Sequence, residues 1–446
     1  MYRKVKPGFV AGVVSIVFFI MAAALFGAPK GAAKRMSDVV VSKGSEAPGL
    51  LGILLERIGG YAMKGGKLEV VPFQIDERDK NGDLVYTKYE GGTTAKLDGK
   101  LDGKDDIVFL YQDAGERMKG EALPAGATGG AEIKVADPLG GPDAFFYLFT
   151  FEGKAPRSEV DYVKYDPKKD WVTSIYYTVG FPYRKAIQVP SYFSQSAAAG
   201  GNGKNIYDLY KLLLKIDLKL IGKEKWSQND FISVPVGYVE GPVRVSRRVT
   251  SALRLAGPIH SATLYSDSSY YPYYCSFPSR IQIPFHLQSI AHSVSMRISD
   301  DLSGNAKGMT WYNERNKGGL EITGKPSEEA EKLDRGEYRW KIANGPQGTL
   351  MTVTLFDPGM GMIKKGLYYH DDESKPDEPC QFIGQIANSG FELTNIESLP
   401  KGNYNFTVYV FCPVNYRKGD EEIYLDSITH PLTVSANSIP VKPDKP

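Results

Sequence analysis

Several features common in enzymes are scarce in this chain of 446 residues. Cysteine occurs three times, histidine five times and tryptophan four times. No C-x-x-C-H is present, which excludes covalent c-type haem. No histidine lies in H-E-x-x-H or another zinc spacing. G-x-S-x-G, the P-loop, the dinucleotide fingerprint and a nucleophilic cysteine setting are absent too. Charge is nearly balanced, with a formal net of +2, so there is no electrostatic footprint for nucleic acid. Long Ala/Glu/Lys/Leu helical tracts are missing. No period of roughly 20–50 residues recurs, so the chain is not a repeat array.

What is abundant points to strands. The chain has 28 tyrosines and 47 glycines with regular turn signals, as a β-rich protein does. Its length accommodates two or three domains and a large core. The N-terminus is basic, "MYRKVK", and the run from Pro7 to Ala28 carries no charge. At about 20 residues that run matches a bilayer core, and it is longer than the usual signal-peptide core. Ala22-Ala23-Ala24 nevertheless offers a small-residue cleavage site after Ala24. A cleaved signal peptide and a transmembrane helix both remain open. Lys30, Lys34 and Arg35 follow closely, so charge bias across the run is weak. Either reading places the rest of the chain outside the cytoplasm, in the periplasm or cell envelope. No cysteine follows the run closely, which argues against lipoprotein attachment. Of Cys275, Cys380 and Cys412, the pair Cys380–Cys412 suits one disulfide in an oxidising compartment; three buried thiols are the alternative.

The expected organisation is an N-terminal segment 1–28, a linker 29–47, a small β domain 48–195 and a β-sandwich 196–446 with a polar tail. "KLEVVPFQIDERD" (67–79) and "DDIVFLY" (105–111) read as strands. "DAFFYLFTFEG" (143–153) is apolar on both faces, so it belongs in the middle of a covered sheet. "IYDLYKLLLKIDLKLIG" invites a helix, yet Leu214, Ile216, Leu218 and Leu220 alternate with Lys215, Asp217 and Lys219. That period of two predicts a half-buried strand. "GYVEGPVRVSRRVTSALRLAG" also alternates, with a slip near Arg247-Arg248 that predicts a bulge. "YRWKIANGPQGTLMTVTLFD" predicts a hairpin turning at residues 344–348. The fold class expected is mainly β, with sheets packed face to face.

Two segments carry resemblances. "GPVRVSRRV", inside a strand-only domain of this length, resembles the galactose-mutarotase-like β-supersandwich of carbohydrate-active and carbohydrate-binding proteins. "VPFQIDERD" with "DGKDDIVFL" resembles a Gln-Ile-Asp-Glu and Asp-Gly-x-x-Asp motif pair of uncharacterised exported bacterial proteins. The first implies a large antiparallel sandwich with carbohydrate as ligand. No catalytic residue of the sugar enzymes matches a position here.

The remaining chemistry lies in three clusters. Asp98, Asp102, Asp105 and Asp106 fall in "KLDGKLDGKDD". With Asp98 at loop position 1, Asp102 takes 5, Gly103 takes 6 and Asp106 takes 9, as in a calcium loop. Lys100 at 3 and Phe109 at 12 exclude an EF-hand. An irregular structural calcium site drawing on Asp76, Glu77, Asp79, Asn81 or Asp83 stays open beside simple turn chemistry, since Asp-Gly pairs bond their own downstream amides. Asp105 and Asp106 are adjacent, so in a strand they face opposite sides and do not pair as acid and base. His286 and His292 share a face if one strand holds both, but sit roughly 20 Å apart, too far to ligate one metal. Tyr270, Tyr271, Tyr273 and Tyr274, with Trp311, form an aromatic set suited to sugar rings or a protein surface. Packing of tyrosines on pleated strands is the plainer alternative.

The function this supports is non-catalytic: an exported or membrane-anchored envelope protein that binds a polysaccharide or a partner protein. A carbohydrate-active enzyme of lyase, epimerase or hydrolase type is the alternative, using His286 or His292 beside Glu314. An accessory subunit or assembly factor of a membrane complex is the third.

Overall fold

A computed structural model describes residues 35–120, 123–256, 259–375 and 386–439. The apolar run 7–28 and Cys380 lie outside these residues. Among the described residues, antiparallel strands form sheets of three, four, five, eleven and five strands. The chain is mainly β, as its alternation and tyrosine content imply.

The N-terminal unit is built on strand Asp106–Leu110, paired with Val39–Lys43 on one side and Gln74–Asp76 on the other. Every residue of the central strand is buried. Its alternation divides between two cores. Ile107 and Phe109 enter the unit's own core, while Val108 and Leu110 meet Val243 of the larger unit. Phe109 stacks on Phe146 at 4.0 Å. Strand Ala144–Phe151 lies centrally in a five-stranded sheet, between Ala127–Ala136 and Ile58–Lys64. Phe146 and Leu148 face one core; Tyr147, Phe149 and Phe151 face another. Its two-sided apolarity therefore reports cover on both faces.

The single strand expected over 67–79 is instead two. Lys67–Val70 joins the five-stranded sheet and Gln74–Asp76 the three-stranded one. Pro72, between them, has no N–H to continue a ladder, and the chain turns there from one sheet to the other. The described part of the linker expected over 29–47, from Arg35 on, also gives way to structure. Arg35 is buried, donating to Asp38 and Asp137 and to the carbonyls of Asp426 and His430, and a strand begins at Val39.

The larger unit is a sandwich. The eleven-stranded sheet faces a five-stranded sheet of Gly222–Ser227, Tyr207–Leu218, Ala291–Leu302, Ile386–Thr394 and Lys364–His370. A four-stranded sheet, Val163–Asp166 to Tyr192–Gln195, adds Val163, Val172, Val179 and Phe193 to the same core. Strand Thr433–Ile439 pairs back with Ala127–Ala136 in the N-terminal unit. Packing thus crosses the expected division at 195/196 in both directions.

Tyr207–Leu218 is a strand as its period requires, with Leu212, Leu214, Ile216 and Leu218 turned to the core. The alternation stops one step short of the expectation, because Leu220 stands in the turn and is 98% exposed. The slip near Arg248 is also real, but the extra residue sits on the partner strand Phe231–Glu240, between Pro235 and Gly237. The hairpin Trp340–Gly345 to Gly348–Phe356 turns at Pro346-Gln347. A buried ion pair ties the two faces of the sandwich. The carboxylate of Asp300 accepts from Lys341 Nζ at 2.7 Å and from Tyr207 Oη at 2.5 Å. Helix Glu421–Thr429, unforeseen in the sequence, lays Tyr424, Leu425 and Ile428 on the outer face of the large sheet.

Candidate functional site

The segment "GPVRVSRR" carries three arginines, and each leaves strand Val245–Ala256 or its approach in a different direction. Arg244 points to the N-terminal unit. Its guanidinium donates to Asp76 Oδ2 at 2.9 and 2.5 Å and to Asp106 Oδ2 at 2.9 Å. Gln74 completes the join. Its Oε1 accepts the backbone N–H of Val243 and Arg244, and its Nε2 donates to Asp76 and to the Arg244 carbonyl. A side chain at Gly241 would collide with Gln74 at 2.5 Å. The Gln-Ile-Asp-Glu and Asp-Gly-x-x-Asp pair and the separately read "GPVRVSRRV" therefore meet in one buried clamp between the units.

The clamp is closed by further cations. Arg78 donates to Asp106 Oδ2 at 2.6 Å and Lys43 to its Oδ1 at 2.5 Å. Burial alone would raise the Asp106 carboxyl; donors from Arg78, Arg244 and Lys43 outweigh it and hold it well below the usual carboxylate range. Asp105, one residue earlier, faces the other way. It accepts the amides of Arg78 and Asp102, and burial raises it to about 6. Arg247 has a separate partner, Asp170, bound through two nitrogens at 2.7 and 2.6 Å under the ring of Phe181.

Arg248 points outward, to the face of the large sheet turned away from the sandwich core. It donates to both oxygens of Asp267 at 2.6 Å and to Asp83 at 3.2 Å. Its guanidinium lies between two rings, 4.6 Å from the centroid of Tyr86 and 5.0 Å from that of Tyr265. Around it opens a groove of about 470 Å³, lined also by Thr263, Arg280 and Asn405. That volume falls within the range of small-molecule sites. Tyr265 is 63% exposed and presents its ring to solvent. Strands Leu264–Tyr270, Tyr274–Ile283 and Gly402–Phe411 supply the floor. Asp83 arrives from the N-terminal unit on a loop that Asp79 shapes by accepting the amides of Asn81 and Asp83.

The residues singled out in the sequence do not converge. Asp98 accepts the amide of Lys100, and Asp102 those of Lys104 and Asp105. These are turn bonds. Glu77 holds the loop from outside by accepting the amides of Asp98 and Gly99. Asp106 is ringed by three cations, which is the reverse of a metal ligand's surroundings. Asp79 and Asp83 lie on another loop. Among the described residues, no three His, Cys, Asp or Glu side chains gather as a metal centre does.

The tyrosine set is core rather than platform. Tyr270 and Trp311 are buried, as is Tyr271. Tyr273 donates to Gln112, and Tyr274 packs on Phe411. The exposed aromatic of this segment is Tyr265, five residues before the set, where the outer face of the strand carries Asp267, a partner of Arg248. His286 and His292 are exposed and separated by the 3₁₀ turn Leu287–Ser289, not aligned on one strand. Glu314 is elsewhere, accepting from Arg339 at 2.5 Å; burial raises its carboxyl, and the Arg339 bonds outweigh that to lower it. No described cavity joins it to either histidine. Cys275 and Cys412 are buried free thiols.

No family model and no curated protein matches the chain. Among solved structures, an alpha-mannosidase from Enterococcus faecalis V583 aligns with TM-score 0.47 and 10% identity, over 92% of this chain and 45% of that one. A protein in the glycosyl hydrolase family 38 from Enterococcus faecalis aligns with TM-score 0.46 and 10% identity, over 91% and 46%. The chain spans less than half the length of either.

Proposed function

We propose that this chain is an exported or membrane-anchored envelope protein that binds polysaccharide without acting on it, through the groove at Arg248. The observation that carries this reading is the make-up of the groove. One exposed tyrosine ring stands beside a guanidinium, two carboxylates, a second arginine and an amide. A sugar ring has an apolar face and a rim of hydroxyls. Tyr265 offers area to the face at little conformational cost. Asp83 and Asn405 accept from hydroxyls, and Arg280 donates to them. Arg248, pinned from both sides, is already ordered before a ligand arrives, which lowers the entropy lost on binding. The N-terminal apolar run supports the envelope location.

The same geometry disfavours the enzyme. Hydrolysis of a glycoside uses two carboxyl groups set across the scissile bond. The two carboxylates here share one guanidinium. The test is an unbiased glycan array with the full chain, repeated with Tyr265→Ala. We expect retention of a defined glycan class and about tenfold weaker binding by the variant, the scale of one ring face returned to water. An array empty for both, with an envelope pull-down also empty, ends the proposal. An empty array with one specific captured envelope protein moves the ligand from polysaccharide to protein.

A further inference from the structure

The alternation that makes Tyr207–Leu218 a strand predicts Leu220 on the buried side, and the structure puts it in water. Leu220 is 98% exposed and Ile221 74%, the two most exposed large apolar side chains among the described residues. They form the turn into strand Gly222–Ser227, with Gly222 at φ +94°. The turn is braced. Lys219 donates its backbone N–H to the Ile290 carbonyl and its Nζ to the Gln288 carbonyl. Ile290 and Phe285, both exposed, stand at the same end. A braced loop that holds two large aliphatic side chains in solvent is holding them for something.

Charge indicates what. Lys215, Lys219, Lys223 and Lys225 are exposed around the tip, against Asp217 and Glu224. Lys215, Lys223 and Lys225 also line a groove of about 410 Å³ along the hairpin, with Ser293 and Ser295 on its far wall. A protein partner would require a matched surface of roughly 800 Å² and a receiving pocket for each anchor. A convex tip of two aliphatic residues gives no such area. A lipid surface requires none, because acyl chains flow around the tip while lysine stems lie along it and their heads reach phosphate.

We propose that the Leu220-Ile221 tip inserts into the headgroup boundary of a bilayer carrying anionic lipids, with the lysines around it on the phosphates. This contact is independent of the N-terminal run. Arg35, just after that run, binds at helix Glu421–Thr429, where strand Gly402–Phe411 ends. The hairpin lies where strand Ala291–Leu302 begins, with Leu218 opposite Ala291. The short segment 284–290 leads there from Ile283, which pairs with Gly402 at the opposite end of strand Gly402–Phe411, about ten residues or roughly 33 Å of strand from Phe411.

The full chain, held in neutral nanodiscs and carrying an environment-sensitive fluorophore at Ile221→Cys, is mixed with vesicles of phosphatidylcholine alone or with phosphatidylglycerol. We expect a blue shift and quenching by spin-labelled lipid with the anionic vesicles only. A label at Leu139→Cys, exposed on the N-terminal unit, stays unchanged. Lys215→Glu with Lys223→Glu weakens vesicle binding at least 25-fold, at about fivefold for each lysine lost. A label that stays in water with anionic vesicles overturns the proposal. So does a shift of equal size with neutral vesicles, or binding unaffected by the double lysine variant.

Discussion

Arg244 and Arg248 are four residues apart, and each holds two carboxylates. Their difference is burial. The side chains of Arg244, Asp76 and Asp106 are 5%, 4% and 1% exposed. Those of Arg248, Asp267 and Asp83 are 11%, 37% and 56% exposed. In the first, Nε and Nη2 of the guanidinium are spent on buried carboxylates, and solvent scarcely reaches the three groups. In the second, water reaches the acceptors and a ligand can displace it. The same three groups make a structural joint at one position and a recognition surface at the other. A third version sharpens the point. Arg35 holds Asp38 and Asp137, also buried, but with fewer cations: Asp38 Oδ1 meets no donor among the described residues.

The largest effect is expected at the joint. Arg244→Ala leaves Asp106 with Arg78 and Lys43, and Asp76 with the Gln74 amide but no cation, in a dry interface. Breaking a buried pair in this way costs about 3–5 kcal/mol, because the desolvated charge persists without its partner. Chemical denaturation should show this as a loss of stability with the two units separating in their transitions. A loss below about 1 kcal/mol, the range of surface pairs, would equate the two sites and end the comparison.

The Arg35 site tests whether cation count, rather than burial, decides the sign. Asp106 is lowered by three cations. Asp38 is raised to about 7: burial raises it most, Arg35 lowers it, and Asp137 and Asp426 raise it again. An unfolded aspartate titrates near 3.9. Between about pH 4 and 7 the folded chain keeps a proton here that the unfolded chain releases. Stability from this group therefore falls as pH rises through that window. Asp106 acts in the opposite sense, and its contribution is lost only as pH falls below about 4. Asp38→Asn should make the fall in stability between about pH 4 and 7 shallower, leaving the share of Asp105, itself raised to about 6, and should leave the acid limb unchanged. An unchanged slope would show that Arg35 alone suffices to keep Asp38 ionised.

Arg248→Ala should act on the other side of the comparison. Its pairs are partly solvated, so the stability cost is about 1 kcal/mol or less. Ligand retention should fall well beyond that, since Tyr265 loses the guanidinium beside its ring and Asp267 and Asp83 lose their common tether. Measured together, a small shift in unfolding and a large loss on the glycan array separate recognition from folding. Equal losses in both would make this second arginine a joint as well.

Much of the fold was legible, and the site largely was not, for one physical reason. Strand periods are local, so Tyr207–Leu218, Ala144–Phe151 and the hairpin at Pro346 could be read from spacing. Burial is decided by what packs from far away. Asp76 and Asp106 meet Arg244 across 168 and 138 residues. Nothing near "YSDSSYYPYYC" distinguishes Tyr265, left in solvent, from Tyr270, sealed in the sandwich core beside Phe181 and Phe277. The nearest signal was strand parity: Tyr265 and Asp267 share the face opposite Tyr270. Leu220 shows the same limit, since alternation does not say where a strand turns. The helix at Glu421 is short, and its apolar residues make sense only against the sheet they cover.

The smallest expected effect concerns the aspartate loop that borders the joint. Asp102 already accepts the amides of Lys104 and Asp105, and Lys100 and Lys104 stand beside it. A calcium ion would have to displace those amides and overcome the lysines. The full chain should therefore melt at the same temperature with calcium and with excess chelator. Asp102→Ala should cost about 0.5–1 kcal/mol, the scale of a lost turn bond, whether or not calcium is present. A ligand that binds only the folded state must raise its stability by mass action. A chelator-sensitive midpoint, restored by calcium and lost in Asp102→Ala, would therefore make this loop a metal site. The clamp at Asp106 would then depend on an ion as well as on its three cationic side chains.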